Sequence, residues 1–170
     1  MEIPVKMRAL LVYDSTFGNT EQIARTIAEG LGGRYTVDLM PAAESAPLTS
    51  NTSNLLVVGG PTQRRHMSPP LRALMEVLPR RGLQGVRAAT FDTRYRMTWL
   101  LSGSAAREAA RALARAGCRL VVPPQSFFML RDVPPQGEKR RHHLEQLEPG
   151  EIERAQAWAR NLALLGSAPR

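Results

Sequence analysis

The sequence predicts a doubly wound α/β sandwich, and three features of the 170-residue chain support that prediction. Short apolar runs alternate with amphipathic segments in the order β-α-β-β-α-β-α-β-α. The apolar runs have the length and continuity of strands that are buried on both faces of a parallel sheet. The chain length suits one domain with a sizeable core, so we expect residues 1–170 to form a single unit.

The apolar runs define the expected strands. Continuous runs predict core strands at four places: 9–13 (ALLVY), 55–59 (LLVVG), 86–92 (VRAATFD) and 118–124 (CRLVVPP). The segment 35–39 (YTVDL) alternates between apolar and polar residues, which is typical of an edge strand. The run 126–130 (SFFML) is expected to extend the last core strand or to pair beside it.

Helical periodicity marks the segments between the strands. The segment 19–33 places apolar residues on one face and ends at two glycines, and Ser68 with two prolines begins the next helix. Ser104 is expected to cap a third helix that presents small residues to the sheet. The last helix, 150–166, has this predicted inner face: Ile152, Ala155, Trp158, Ala159, Leu162 and Leu165. Two polar stretches separate these elements, a connection at 41–54 and a partly basic excursion at 131–150.

Composition excludes several classes of protein. No apolar run approaches the ~20 residues of a membrane span, and the N-terminal apolar stretch is too short for a signal-peptide core. A cytoplasmic protein without a membrane span is therefore expected. Cys118 is the only cysteine, which excludes an intrachain disulfide and a CxxC site, and it is expected to be a small buried residue. We expect no metal site, because the adjacent His142 and His143 lack a third ligand.

The net charge of +8 predicts a surface that attracts acidic proteins, nucleic acid or anionic lipid. Only Lys6 and Lys139 are lysines, so the excess is almost entirely arginine. Genome composition or a thermophilic habit also produces an arginine excess, and for that reason nucleic-acid binding is not expected from charge alone.

Three loops at the carboxyl ends of core strands are candidate binding loops: 14–20, 60–67 and 92–103. The first, DSTFGNT, lies between a strand and a helix N-terminus, where free backbone N–H groups attract anions. Its short donors (Ser15, Thr16, Asn19 and Thr20) and Gly18 are more than a helix cap needs, so they predict a neutral phosphomonoester cradle. The chain has neither GxxxxGK[ST] nor GxGxxG, which disfavours triphosphate and dinucleotide sites.

The segment LVYDSTFGNTEQIARTI resembles the phosphate-loop signature of the flavodoxin family. GGPT at 59–62 is similar to the family's second flavin loop, and FDTRYRMTW at 91–99 takes the place of its third. The resemblance extends to the order and spacing of elements along nearly the whole chain. It implies a five-stranded parallel sheet of order 2-1-3-4-5, with helices on both faces and FMN at the switch point.

The resemblance also implies roles for individual residues. The phosphate end of FMN would be held by the first loop: Ser15, Thr16, Phe17, Gly18, Asn19 and Thr20. The isoalloxazine would be bordered by the second and third loops: Pro61, Thr62, Gln63, Asp92, Thr93, Arg94, Tyr95 and Gly103. Tyr95 or Trp99 would stack on the ring, and Gly59 or Gly60 would supply backbone that responds to flavin reduction.

The chain departs from the family pattern beside the ring. The second loop reads QRRHM at 63–67, where flavodoxins usually carry an aromatic residue, and the chain is basic where flavodoxins are acidic. Arg64, Arg65 and His66 would either point to solvent or, if they lie near the ring, favour the anionic, fully reduced flavin. In the second case the expected potential is less negative than in an acidic carrier.

Three functions remain open on the sequence. The resemblance implies an FMN-binding electron carrier that exchanges electrons with acidic redox partner proteins. The first alternative is an FMN-dependent oxidoreductase on the same fold, such as a quinone or flavin reductase or a protoporphyrinogen-oxidase-like enzyme. The second is a flavodoxin-fold binding module without FMN, because fold alone does not determine function.

Overall fold

The strands of the protein form one mainly parallel sheet. The computed structural model describes residues 6–45, 53–97, 101, 103–131 and 146–166. The described part contains these strands: β1 (Met7–Tyr13), β2 (Tyr35–Pro41), β3 (Leu55–Gln63), β4 (His66–Met67), β5 (Arg87–Tyr95), β6 (Arg119–Leu120) and β7 (Gln125–Met129). The parallel order is β2-β1-β3-β5, followed by β6 and β7 beside β5. The predicted order 2-1-3-4-5 is confirmed when β6 and β7 count as one broken fifth strand.

The break in the fifth strand has a simple cause. β6 pairs with the beginning of β5 and β7 pairs with its end. Between them lie Pro123 and Pro124, which have no N–H to donate to a neighbouring strand. The predicted strand at 118–124 therefore pairs only at Arg119–Leu120, and the run at 126–130 continues along the same neighbour.

Two helical layers cover the sheet. The helices are α1 (Asn19–Leu31), α2 (Pro69–Val77), α3 (Ala105–Arg115) and α4 (Glu151–Gly166). Alternate residues of β1 point to opposite layers: Ala9 and Leu11 pack with α1 and α4, whereas Leu10 and Val12 pack with α2 and α3. None of the described helices has the length and apolarity that crossing a bilayer requires.

β3 and β5 continue beyond their predicted ends, into segments that the sequence indicated to be loops. The two strands stay paired through Gly60–Asp92 and Pro61–Thr93. β4 then folds back antiparallel on β3, so most of the predicted loop 60–67 is a β-hairpin. The apolar pattern did not predict these strand ends, because their side chains are polar. Backbone pairing with a neighbouring strand stabilises them whatever the polarity of their side chains.

The predicted inner face of the last helix is wrong at one position. Ala155, Ala159 and Leu162 are buried as expected, but Leu165 is 44% exposed. At 3.6 residues per turn, Leu165 points about 80° away from Ala155, on the flank that faces solvent. The two polar stretches, 41–54 and 131–150, are described only in part, since residues 46–52 and 132–145 lie outside the described residues. The stretch 41–54 contains a short 3₁₀ helix, Ala42–Glu44.

Candidate functional site

The first loop is organised by Ser15, which caps the N-terminus of α1 from a distance. Its Oγ accepts hydrogen bonds from the backbone N–H of Gly18 (3.1 Å) and of Glu21 (3.2 Å). Gly18 has a φ of 90°, a left-handed conformation that an L side chain rarely adopts. These contacts turn the chain from β1 directly into α1, and the first turn of the helix faces the carboxyl edge of the sheet.

Two side-chain hydrogen bonds join this loop to the neighbouring strands. Gln63 Nε2 donates to Thr16 Oγ1 over 2.9 Å, and the hydroxyls of Thr20 and Thr93 lie 2.7 Å apart. Thr20 and Thr93 are both buried, with exposures of 2% and 0%. The structure thus brings together residues of all three loops that the sequence selected.

A narrow cavity lies where these loops meet. Its volume is about 20 Å³, and its lining combines short polar residues with three apolar ones: Thr16, Phe17, Asn19, Thr20, Pro61, Thr93 and Met129. None of these side chains is charged. Four of its seven lining residues therefore carry short, uncharged polar side chains, and the phosphomonoester cradle itself stays a prediction.

A larger groove of about 360 Å³ adjoins the narrow cavity and shares Phe17, Pro61 and Met129 with it. Apolar and aromatic side chains form much of its wall: Phe17, Pro61, Tyr95, Met97, Leu101 and Met129. Thr62, Gln63, Gly103 and three arginines complete it. Sequence reasoning missed Met129, although its place near the carboxyl end of the fifth strand is the signal that could have found it.

Asp92, a fully buried carboxylate (0% exposed), contacts two residues that line this groove, Thr62 and Arg94. Its Oδ2 accepts hydrogen bonds from Thr62 Oγ1 (2.9 Å), Ser104 Oγ (2.6 Å) and the backbone N–H of Ala106 (3.1 Å). The carboxylate thereby joins β3 and β5 to the N-terminus of α3, where a negative charge is favourable. The predicted role of Asp92 at the flavin edge stays a prediction, since its bonded oxygen faces α3.

Arg94 is the most firmly held cation that lines the groove. Its side chain is only 18% exposed, and it donates hydrogen bonds to Ser126 Oγ (3.0 Å) and to the backbone oxygen of Gly103 (3.3 Å). The Nε atom lies 3.9 Å from Asp92 Oδ1, an oxygen that has no hydrogen-bond partner. The guanidinium therefore balances a buried carboxylate and fixes one positive charge in the wall of the groove.

The tip of the β3–β4 hairpin forms another wall. Arg64 and Arg65 have φ values of 45° and 76°, so two non-glycine residues in succession adopt left-handed conformations. The tip packs on Gly103, where an added Cβ would lie 1.6 Å from the backbone oxygen of Arg65. Glycine at position 103 thus permits the second and third loops to meet.

His66 is directed away from the groove, contrary to the expectation that grouped it with the two arginines beside the ring. Its Nδ1 lies 2.7 Å from Glu108 Oε1 on α3, and the residue lines a second, open groove of about 720 Å³ instead of the larger groove described above. Arg64 and Arg65 do line the larger groove. The basic contribution to that groove is therefore made by Arg64, Arg65 and Arg94.

Of the residues predicted to stack on the ring or to supply responsive backbone, Tyr95 is the only described one that lines the groove. Trp99 lies outside the described residues. Gly59 and Gly60 are buried in the β3–β5 ladder, where added Cβ atoms would meet Phe91 at 2.1 Å and Leu71 at 2.6 Å. At both positions glycine serves close packing, and the unusual backbone lies instead at the hairpin tip.

Comparison with known proteins identifies the fold. The sequence matches no family model and no curated protein. A flavodoxin from the domain Archaea superposes with a TM-score of 0.73 at 20% identity, over 95% of this chain and all of that one. Flavodoxin 1 from Bacillus cereus gives 0.73 at 14% identity, over 95% and 99%. A WrbA-like flavodoxin protein from Agrobacterium tumefaciens gives 0.66 at 15% identity, over 95% and 98%. The chain has a flavodoxin-like fold, as its first loop predicted.

Proposed function

We propose that this protein binds FMN and acts as an electron carrier. The observation that supports it most is the pair of adjoining cavities: a narrow one at the N-terminus of α1 that four short polar residues help to line, and a larger one with an aromatic and apolar wall. A phosphorylated side chain attached to a flat aromatic ring has the same two parts. The fold and the flavodoxins that it resembles favour FMN over other ligands of this shape.

The phosphate end would be held by the neutral donors of the first loop. Thr16, Asn19 and Thr20 line the narrow cavity, and Ser15 and Gly18 shape the turn that places them there. The partial positive charge at the start of α1 supplies the attraction that lysine or arginine would otherwise provide. The donor set therefore fits a phosphomonoester.

The ring end would be enclosed by the walls of the larger groove. When bound, FMN supplies the redox chemistry, and the protein sets its binding, its potential and its access to solvent. Phe17, Tyr95 and Met129 offer apolar and aromatic surface that excludes water from the ring. Arg94 places a fixed positive charge in the same wall, which favours the more negatively charged, reduced state of the cofactor.

A titration with two flavins tests the phosphate cradle. FMN carries the phosphate and riboflavin does not, so FMN should bind at least about tenfold more tightly. In Thr16→Asp a carboxylate replaces an exposed hydroxyl of the narrow cavity, which should weaken FMN binding about tenfold and leave riboflavin binding unchanged. Both affinities are measured by the quenching of flavin fluorescence.

Thr36→Asp is the matched control, because Thr36 is exposed on the edge strand β2, which does not line either cavity. This variant should bind both flavins as the wild type does. Equal weakening by the two substitutions would refute the cradle. A protein that stays colourless after incubation with FMN would instead favour the binding module without FMN.

An FMN-dependent oxidoreductase is the second candidate, and the mouth of the groove favours it. Met97 and Leu101 line the groove and are 47% and 55% exposed, which leaves apolar surface where a small planar substrate could lie over the cofactor. Steady turnover of NAD(P)H with a quinone would support the enzyme. Electron exchange with a reductase protein alone would support the carrier.

A further inference from the structure

The two helical layers carry different charges. The α2–α3 layer has four arginines and two glutamates in its helices: Arg72, Arg107, Arg111, Arg115, Glu76 and Glu108. The α1–α4 layer has three arginines and four glutamates: Arg25, Arg154, Arg160, Glu21, Glu29, Glu151 and Glu153. The positive excess of the helices is therefore concentrated on one side of the sheet.

The excess on α3 is not neutralised locally. Glu108 is engaged by the hairpin, since its Oε1 lies 2.7 Å from His66 Nδ1 and its Oε2 accepts from the backbone N–H of Met67 (3.3 Å). Arg107, Arg111 and Arg115, here named the α3 stripe, form no side-chain ion pair within the described part of the chain. On the opposite layer, Arg25 and Arg154 are both paired to glutamates of their own helices.

The α3 stripe begins beside the proposed flavin groove. Its members are four residues apart and exposed, so they follow one face of the helix at intervals of about 6 Å. Arg107 lies one turn after Ser104, the N-cap of α3, which directly follows the groove residue Gly103. A molecule that contacts the stripe would therefore also reach the mouth of the groove.

The mouth of the groove supplies the apolar part of the same surface. Phe17, Met97 and Leu101 are 65%, 47% and 55% exposed and all line the groove. Apolar side chains next to a charged border are typical of surfaces that bind other proteins. A nucleic acid would contact the arginines and would have no need of the apolar mouth. The stripe is also no more than about 12 Å long, which offers few phosphate contacts.

We propose that the α3 stripe is the docking surface for an acidic redox protein, whose contact with the apolar mouth brings its own redox centre to the groove. This proposal rests on the proposed function, and it adds the position and the charge of the partner surface. Complementary charge accelerates encounter and fixes orientation, while the apolar contact provides short-lived affinity.

The test compares two double variants of equal net charge. Arg111→Gln/Arg115→Gln removes two charges from the stripe, and Arg25→Gln/Arg160→Gln removes two from the α1–α4 layer. An acidic [2Fe–2S] ferredoxin is the probe, and its affinity is measured by calorimetry at low and high salt. We expect the stripe variant to bind about fivefold more weakly at low salt and the control to change less than twofold.

Several outcomes would overturn the docking surface. They are equal weakening by both variants, no weakening by either, and tighter stripe-dependent binding of a short DNA duplex than of the ferredoxin at physiological salt. The affinity for FMN is measured separately on each variant. A wild-type protein that does not bind FMN would refute the proposed cofactor. Ferredoxin binding that depends on the stripe would still identify the docking surface.

Discussion

Arg94, which lines the groove, lies next to the buried carboxylate of Asp92. Asp92 is completely buried, and Arg94 is 18% exposed in its side chain. A buried carboxylate without compensation is costly, and here three hydrogen bonds and a nearby guanidinium provide the compensation. Arginine suits this place, because its planar group is weakly hydrated and donates in several directions at once.

Replacing Arg94 should shift the flavin potential. Arg94→Gln removes the fixed charge from the groove wall, so the potential for full reduction should become more negative by on the order of 50 mV. Spectroelectrochemical titration of the FMN-loaded protein measures this shift. Arg64→Gln, which removes an exposed charge of the hairpin tip, should have a smaller effect because solvent screens it. A potential that does not change in Arg94→Gln would contradict the assignment.

Cys118 should be protected from alkylation in the folded protein. Burial raises the pKa of its thiol from 9.0 to about 11, because the charged thiolate is poorly solvated there. The folded state therefore gains stability from the neutral thiol below pH 9, and this gain is lost as the pH rises through 11. Iodoacetamide at about pH 8.5 should leave the native protein unmodified and label it in denaturant. Rapid labelling without denaturant would contradict the buried position.

At the scale of elements, the β3–β4 hairpin determines the shape of the site. Its two-residue turn places Arg64 and Arg65 in left-handed conformations, which asparagine and glycine adopt far more readily. Contact with Gly103 holds this unfavourable turn in place, and Gln63 next to the tip donates to Thr16. The hairpin thus connects the larger groove to the narrow cavity.

Gly103→Ala should displace the hairpin. The new methyl group would meet the Arg65 backbone oxygen at 1.6 Å, so the tip must move away. We expect about tenfold weaker FMN binding and a free energy of unfolding lowered by about 1–3 kcal/mol, measured by fluorescence titration and urea denaturation. Gly33→Ala, at a glycine with open space around it, should leave both unchanged within error. Wild-type affinity in Gly103→Ala would show that the hairpin contact does not matter.

At the scale of the whole molecule, an aromatic cluster joins the sheet to one helical layer. Phe91 on β5, Phe127 on β7 and Trp158 on α4 have ring centroids 6.2 to 6.4 Å apart in edge-to-face arrangements. The cluster attaches the broken fifth strand to α4, and β7 in turn carries Met129 into the groove. Core packing and site geometry are therefore linked through the same strand.

Two phenylalanine variants should separate stability from binding. Phe127→Ala removes a fully buried ring and should lower the free energy of unfolding by about 3–5 kcal/mol. Phe17→Ala removes a ring that is 65% exposed and lines both cavities, so it should weaken FMN binding with little change in stability. Urea denaturation and fluorescence titration measure the two effects. A large loss of stability in Phe17→Ala would contradict this division.

Local patterns predicted the core elements well and their polar extensions poorly. Apolar runs revealed the buried strands and helical periodicity revealed the helices, because both patterns depend on neighbours in sequence. β3 and β5 extend beyond their predicted ends because they pair with each other. Leu165 is exposed because it lies on the flank of α4 that faces solvent. Neither fact is visible from polarity alone.

The sequence by itself determined the flavodoxin-like fold and the uncharged first loop, since each rests on local sequence patterns and on their order along the chain. Tertiary structure decided which residues meet at the site. It brought Thr20 to Thr93, Arg65 to Gly103 and Asp92 to Thr62, and it turned His66 away towards Glu108. These contacts join residues 30 to 73 positions apart, so their geometry follows from how strands and helices pack and not from local pattern.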